Sequence, residues 1–346
     1  MRDYRYVIEY FRADGTGVGQ VPLTPDFASA VEWAHFDGVR SGNLPPVFAP
    51  SPTALGAVID PVWHGSLGQP YVDAFQVRIP ADRGAVEREI PGDYLHAAIQ
   101  RGTATLVQRG AIRSGEDVRY LITAFPGVVA TEPSQALPFQ IEEIPQALPI
   151  SEADLAPLLK AAEMHDASSG LPDDMPIIVA QRVVDEAKDL ARQAGDLETG
   201  GVLIGKLQRD AESRAFFLVI TAQIAALHTD ASSMKLTFTA ETWGAARTAL
   251  ALRRRDEGLF GWWHSHPDFC RLRNCPMERR QRCLSGSRFF SGEDVALTAA
   301  LFGRAFHCAL LVSDSAATGL VATMFGWRRG SVVSRAYHTI TSNQGE

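Results

Sequence analysis

The chain has 346 residues, 46% of them hydrophobic and 21% charged, with a formal net charge of −7; this length exceeds one ordinary core and predicts two domains. The acidic balance draws no phosphate to the chain as a whole, which argues against a general nucleic-acid or anionic-membrane binder. No window holds the roughly eighteen apolar residues of a membrane span, and MRDYRYVIEYFRADG lacks the apolar stretch of a secretory signal, so the sequence reads as cytoplasmic.

Residues 1–125 read as an α+β domain. YRYVIEYF alternates as a strand does, and PDFASAVEWAHFDGVRSG spaces its apolar residues as a helix with a glycine-rich exit. DAFQVRIP, TATLVQRGAI and VRYLITAF are expected strands, with GDYLHAAIQRG a short helix between them. His35, His64 and His96 are scattered and form no catalytic constellation. Residues 126–175 are proline-rich and predict a linker, interrupted by one helix, SEADLAPLLKAAEMH, capped by Ser151.

Residues 176–335 read as an α/β domain with helices against a mixed sheet, followed by a tail at 336–346. PIIVAQRVVDEAKDLARQAG predicts an amphipathic helix ending at Gly195. ETGGVLIGKL and FFLVITAQI predict strands, and LTFTAETWGAARTALALRRR leads into a second helix. LFGWWHSHP is an expected buried strand, GEDVALTAALFG a helix, and FHCALLVSD and GLVATMFGW the closing strands. His307, beside Cys308 in one of these, is expected to pack rather than ligate.

The chemistry gathers in GWWHSHPDFCRLRNC. Side chains two apart on a strand share a face, so His264 and His266 point the same way and Ser265 points opposite. Two imidazoles supply two of the three protein ligands that catalytic zinc keeps, and a carboxylate must come from elsewhere. Asp294 is the best placed, because SGED opens the next predicted helix.

Glu198 in ETGGVLIG, GWWHSHP, and Ser291-x-x-Asp294 together resemble, in order, the glutamate, H-x-H-P and S-x-x-D elements of the JAMM (MPN+) zinc metalloproteases. The resemblance covers roughly residues 176–335. It implies that His264, His266 and Asp294 hold Zn²⁺, that Glu198 moves the proton of a water to the leaving amine, and that Ser291 donates to the tetrahedral oxyanion. It further implies an isopeptidase acting on a ubiquitin-like protein or its conjugates, alongside conjugation-pathway enzymes, and the alanine- and arginine-rich composition fits a bacterial member. In that setting the N-terminal domain would recognise the modifier, the target or a partner. Two other readings stand beside it: a non-catalytic MPN scaffold, and a protease that trims a ubiquitin-like or sulfur-carrier precursor.

One departure is plain. The family has seven residues between the second histidine and the serine, and here Pro267 to Phe290 holds twenty-four. At the standard spacing stand Asn274 and Met277, which replace neither serine nor aspartate, so the loop is expected to be enlarged. This insertion, 267–290, carries Arg271, Arg273, Arg279, Arg280, Arg282 and Arg288, the first four being candidate substrate-gripping residues. It also carries Cys270, Cys275 and Cys283, which with Cys308 or a histidine could form a second, structural zinc site. The alternative is a solvated arginine-rich loop with incidental cysteines. The loop lacks interleaved aromatics, which speaks against nucleic acid.

Overall fold

A computed structural model of the chain describes residues 4–65, 70–82, 84–127, 145–226, 238–276, 278, 289–314 and 319–341. The chain divides into two compact units, Met1–Leu148 with Arg329–Ser331, and Pro149–Arg328 with Val332–Glu346.

The first unit runs through β1 (Tyr4–Arg12), β2 (Gly17–Leu23), α1 (Ala28–Arg40), β3 (Val58–His64), β4 (Tyr71–Ala81), β5 (Gly84–Pro91), α2 (His96–Gln108) and β6 (Val118–Pro126). The alternation in YRYVIEYF is realised as β1, which buries Tyr6, Ile8 and Tyr10 on one face. It lies between β2 and β6, antiparallel to both, while β4 lies between β3 and β5. Both sheets, α1 and α2 contribute to one apolar cluster around Phe75, Val77 and Ile79. The segment TATLVQ is helical where local alternation predicted a strand. Ile99, Gly102 and Leu106 are the buried residues of α2, three and four apart, so burial at helical period overrides the short alternating run.

The second unit runs through β7 (Ile150–Ala153), α3 (Leu155–Ala161), β8 (Glu163–His165), β9 (Ile177–Ala180), α4 (Gln181–Ala194), β10 (Gly200–Asp210), β11 (Phe216–Ala225), α5 (Ala240–Arg253), β12 (Gly258–His266), α6 (Phe269–Leu272), α7 (Gly292–Leu301), β13 (Cys308–Ser313), β14 (Val321–Arg328), β15 (Ser331–Arg335) and β16 (Tyr337–Ile340). Among the described residues its strands form one mixed sheet in the order β15-β14-β13-β12-β10-β11-β9-β16-β8, with β7 beside β10. The middle strands β10, β12 and β13 are buried along almost their whole length, which is why they read as unbroken apolar runs. β12 is antiparallel to β10 and parallel to β13. The C-terminal half is thus mixed α/β, preceded by an α+β region, as the sequence predicts.

Four further expectations differ. The stretch read as a linker enters the second unit's sheet from Ile150 onward, and 128–144 lies outside the described residues. Ser151 is a strand residue paired with Gln208, so it caps no helix; the Leu155 N–H at the start of α3 donates instead to Asp210 Oδ1 at 2.7 Å. Residues Ile177–Ala180, read as the start of α4, form β9 because their β-branched run pairs between β11 and β16. That last pairing also makes Tyr337–Ile340, expected in a tail, a sheet strand. α4 does end at Gly195, whose φ of 63° suits glycine. Among the described residues no helix is long and apolar enough to cross a membrane.

Candidate metal centre

β12 ends in Trp262-Trp263-His264-Ser265-His266, every residue buried. The two imidazoles share a face, with their Nε2 atoms 3.1 Å apart. α7 begins beside them. Ser291 is its N-cap: the Ser291 Oγ accepts from the Asp294 N–H at 3.1 Å, and Asp294 Oδ2 accepts from the Ser291 N–H at 2.7 Å. This reciprocal cap aims the Asp294 carboxylate at the histidines, with Oδ1 3.2 Å from His264 Nε2 and Oδ2 3.6 Å from His266 Nε2.

These separations test whether a metal fits. Ligands about 2.0–2.1 Å from a tetrahedral zinc stand about 3.3–3.4 Å from one another. The observed 3.1, 3.2 and 3.6 Å bracket that edge. His264, His266 and Asp294 are also the one group of His, Cys, Asp and Glu among the described residues that could hold a metal ion.

Charge agrees with geometry. Burial pushes the His264 imidazole below its ordinary pKa, more than Asp294 beside it pulls it up, so the ring is neutral. Burial alone would raise Asp294, yet the hydrogen bonds from His264 and His266 and from Ser291 outweigh it and hold the carboxyl well below the usual range. Two imidazoles and one carboxylate form a donor set suited to a divalent ion that keeps a fourth position. The Nδ1 atoms of both histidines are buried and find no hydrogen-bond partner among the described residues. Aromatic contacts orient the rings instead: Trp262 on His264, and Phe269 and Phe289 within 5.4 and 5.3 Å of His266.

Glu198 lies just before β10 and is buried. Burial raises its carboxyl to about 7, against the lowering effect of His266 and with further raising by Asp294 and Glu293. Its position is set through the next residue. The Thr199 N–H donates to Ser265 Oγ at 3.0 Å, and the Ser265 N–H donates to the Thr199 carbonyl at 2.8 Å. Ser265, read in the sequence only as facing away from the histidines, therefore ties the Glu198 segment to the strand that carries them. A lone hydroxyl in a buried apolar strand was the available signal, since such a group needs a partner. Gly201 permits the close strand approach here: a Cβ would stand 2.3 Å from the Ile224 carbonyl oxygen and 2.6 Å from Trp263 Nε1.

The insertion is partly described. Arg271 is ion-paired with Asp196, two residues from Glu198, and the Arg273 guanidinium lies 5.7 Å from the centre of the Phe269 ring. Arg279, Arg280, Arg282, Arg288, Met277 and Cys283 lie outside the described residues. The Cys275 N–H donates to the Cys270 carbonyl at 2.8 Å. Cys308 on β13 sits level with Gly261 of β12, its thiol pushed up to about 12 by burial, and among the described residues it joins Cys270 and Cys275 in no metal-capable group. The suggested second zinc site also needs Cys283, which lies outside the described residues. His307 packs among Phe260, Phe302 and Phe306, and burial lowers it to about 3, in keeping with a packing role.

Residues 180–270 match the family described as prokaryotic homologs of the JAB domain. The match spans Glu198, His264 and His266 and ends before Ser291 and Asp294, which the fold itself brings to the histidines. The C-terminal half thus carries a JAB-like domain. A solution structure of a protein from Desulfitobacterium hafniense is similar over 49% of this chain and 95% of its own, at 20% identity and a TM-score of 0.31. Among curated proteins none matches significantly.

Proposed function

We propose that the second unit is a zinc-dependent peptidase or isopeptidase of the JAMM type, cleaving the bond that follows the C-terminus of a ubiquitin-like protein. The observation that carries this reading is the convergence of two imidazoles and a carboxylate at zinc-ligand spacing, with the buried Glu198 in their electrostatic neighbourhood. JAB-type domains include peptidases, and the matched segment contains three of the five residues involved.

His264, His266 and Asp294 would hold a zinc ion, which when bound would supply Lewis acidity and a water acidified from about 15.7 toward 7. The remaining work falls to the chain. Glu198 is no ligand, so its carboxylate is free to take the water's proton and pass it to the leaving amine nitrogen. Ser291 Oγ accepts one hydrogen bond in the cap and keeps its own O–H to donate to the oxygen on which charge develops. The aromatic residues around both imidazoles exclude bulk water, which strengthens these interactions.

The direct test incubates the full chain with ubiquitin-like fusions, as linear C-terminal extensions and as lysine-linked conjugates, with and without a chelator. Chelator-sensitive cleavage that Glu198→Gln lowers at least a hundredfold, with zinc retained, is the expected result. Cleavage of the linear substrate alone would assign precursor processing. The orphaned Nδ1 atoms favour one competing reading, a non-catalytic scaffold, because metal-bound imidazoles usually donate from their other nitrogen. That reading predicts no zinc uptake and no cleavage of either substrate.

A further inference from the structure

The ligands of the centre come from two elements joined by the twenty-four residues Pro267 to Phe290. A loop of that length constrains its ends weakly, because closure entropy changes slowly with length. A metal site tolerates only about 0.5 Å of misplacement in its ligands. Something other than chain connectivity must therefore fix α7 against β12.

Trp262 and Thr298 meet that need. The indole of Trp262 stacks on the His264 imidazole, ring centres 4.4 Å apart and planes 10° from parallel. Its Nε1–H donates to Thr298 Oγ1 at 3.0 Å, and the Thr298 O–H donates to the Asp294 carbonyl at 2.8 Å, one helical turn back. Trp262 and Thr298 are each 1% exposed. The threonine hydroxyl has one proton, given to Asp294, so the indole must bond to its lone pair, and the chain of donors has a single direction from Trp262 to Asp294. One end of this chain touches a ligand ring and the other holds the backbone of a ligand carboxylate. Phe290, stacked on Phe325 with ring centres 4.4 Å apart, fixes the residue just before the cap.

We propose that Trp262 and Thr298 are positioning residues for the metal: a cross-brace that presets the distance between His264 and Asp294 before an ion arrives. This rests on the reading of the site as a zinc centre. Packing alone does not account for the hydroxyl, since an apolar side chain would fill a buried position on α7 equally well. Trp263, the neighbouring indole, bonds to Gln223 on β11 and takes no part.

The test measures Zn²⁺ affinity of the full chain by competition with a chromogenic chelator, and the visible spectrum after Co²⁺ loading. Thr298→Val keeps the shape and removes both hydrogen bonds; Trp262→Phe keeps an aromatic face and removes the donor. Each is expected to weaken Zn²⁺ binding roughly 10–100-fold and to change the Co²⁺ bands. Thr298→Ser should restore binding to within about threefold of the wild type, since it keeps the hydroxyl. Thr339→Val, which loses a buried threonine bond to His165 on β8, should leave affinity and spectrum unchanged while lowering the unfolding temperature. Wild-type affinity in Thr298→Val, or an equal loss in Thr339→Val, overturns the brace. If Thr298→Val does not fold, Trp262→Phe decides by the same criterion. Failure of the unaltered protein to bind Zn²⁺, or equal binding after His264→Ala, removes the metal reading itself and the brace with it.

Discussion

Glu198 holds its proton more tightly than an ordinary glutamate because its carboxyl has lost most of its water and faces Asp294 and Glu293. A folded pKa of about 7 against 4.5 means that the fold favours the protonated acid. Its contribution is fully present below pH 4.5 and is lost as the pH rises through 7. The difference corresponds to roughly 3 kcal/mol. In chelator, Glu198→Gln should therefore unfold with the wild type near pH 4.5 and at a higher temperature at pH 8, and thermal melts at the two values read this directly. An equal shift at both would mean that the carboxyl is not titrating in the fold. In the proposed mechanism Ser291 has two duties, cap and oxyanion donor, that separate experimentally. Ser291→Ala should lower cleavage about a hundredfold or more by removing the oxyanion donor, and should cost about 1 kcal/mol of stability through the lost cap. Turnover measured with zinc saturating, beside a denaturant melt, distinguishes the two losses.

At the scale of elements, what could be read in advance was what depends on neighbours in the chain. The buried strand LFGWWHSHP and the cap SGED are local patterns, and both formed with His264, His266 and Asp294 where alternation and capping put them. Ser265 and Trp262 owe their roles to Thr199 and Thr298, and no local rule reaches that far. The same distance hid β7 and β16, which are strands because β10 and β9 offer open edges to them. Ser151 looked like a helix cap and lies in a strand, whereas Asp210 performs that function from across the sheet. Asp210→Ala should accordingly lower the unfolding temperature by several degrees, and Ser151→Ala should barely move it. Gly201→Ala adds a methyl where the Ile224 carbonyl already stands, and should destabilise by roughly 1–3 kcal/mol in a denaturant titration.

At the scale of the whole molecule, each unit has buried apolar clusters of its own among the described residues. One gathers around Phe75 in the first unit; in the second, one around Trp262 and Leu311 backs β12, and a smaller one holds Leu155, Ile178 and Phe217. An ion that binds only the folded second unit stabilises it by about 2.7 kcal/mol at a hundred times its dissociation constant. Hydrogen exchange with and without Zn²⁺ should show slower exchange in β12, β13 and α7 and unchanged exchange in β1 and β4; protection spread evenly over both would contradict a site confined to residues 149–346. The parallel pairing of β12 with β13 carries one more consequence. Antiparallel neighbours can be joined by a tight hairpin, but parallel ones require the chain to travel back along the sheet before it can start again. α7 makes that return journey, so it must set out from the edge where β12 stops, however far the chain wanders first. Added or deleted residues in that detour leave the point of departure in place, and its length is free to vary while the chemistry stays put.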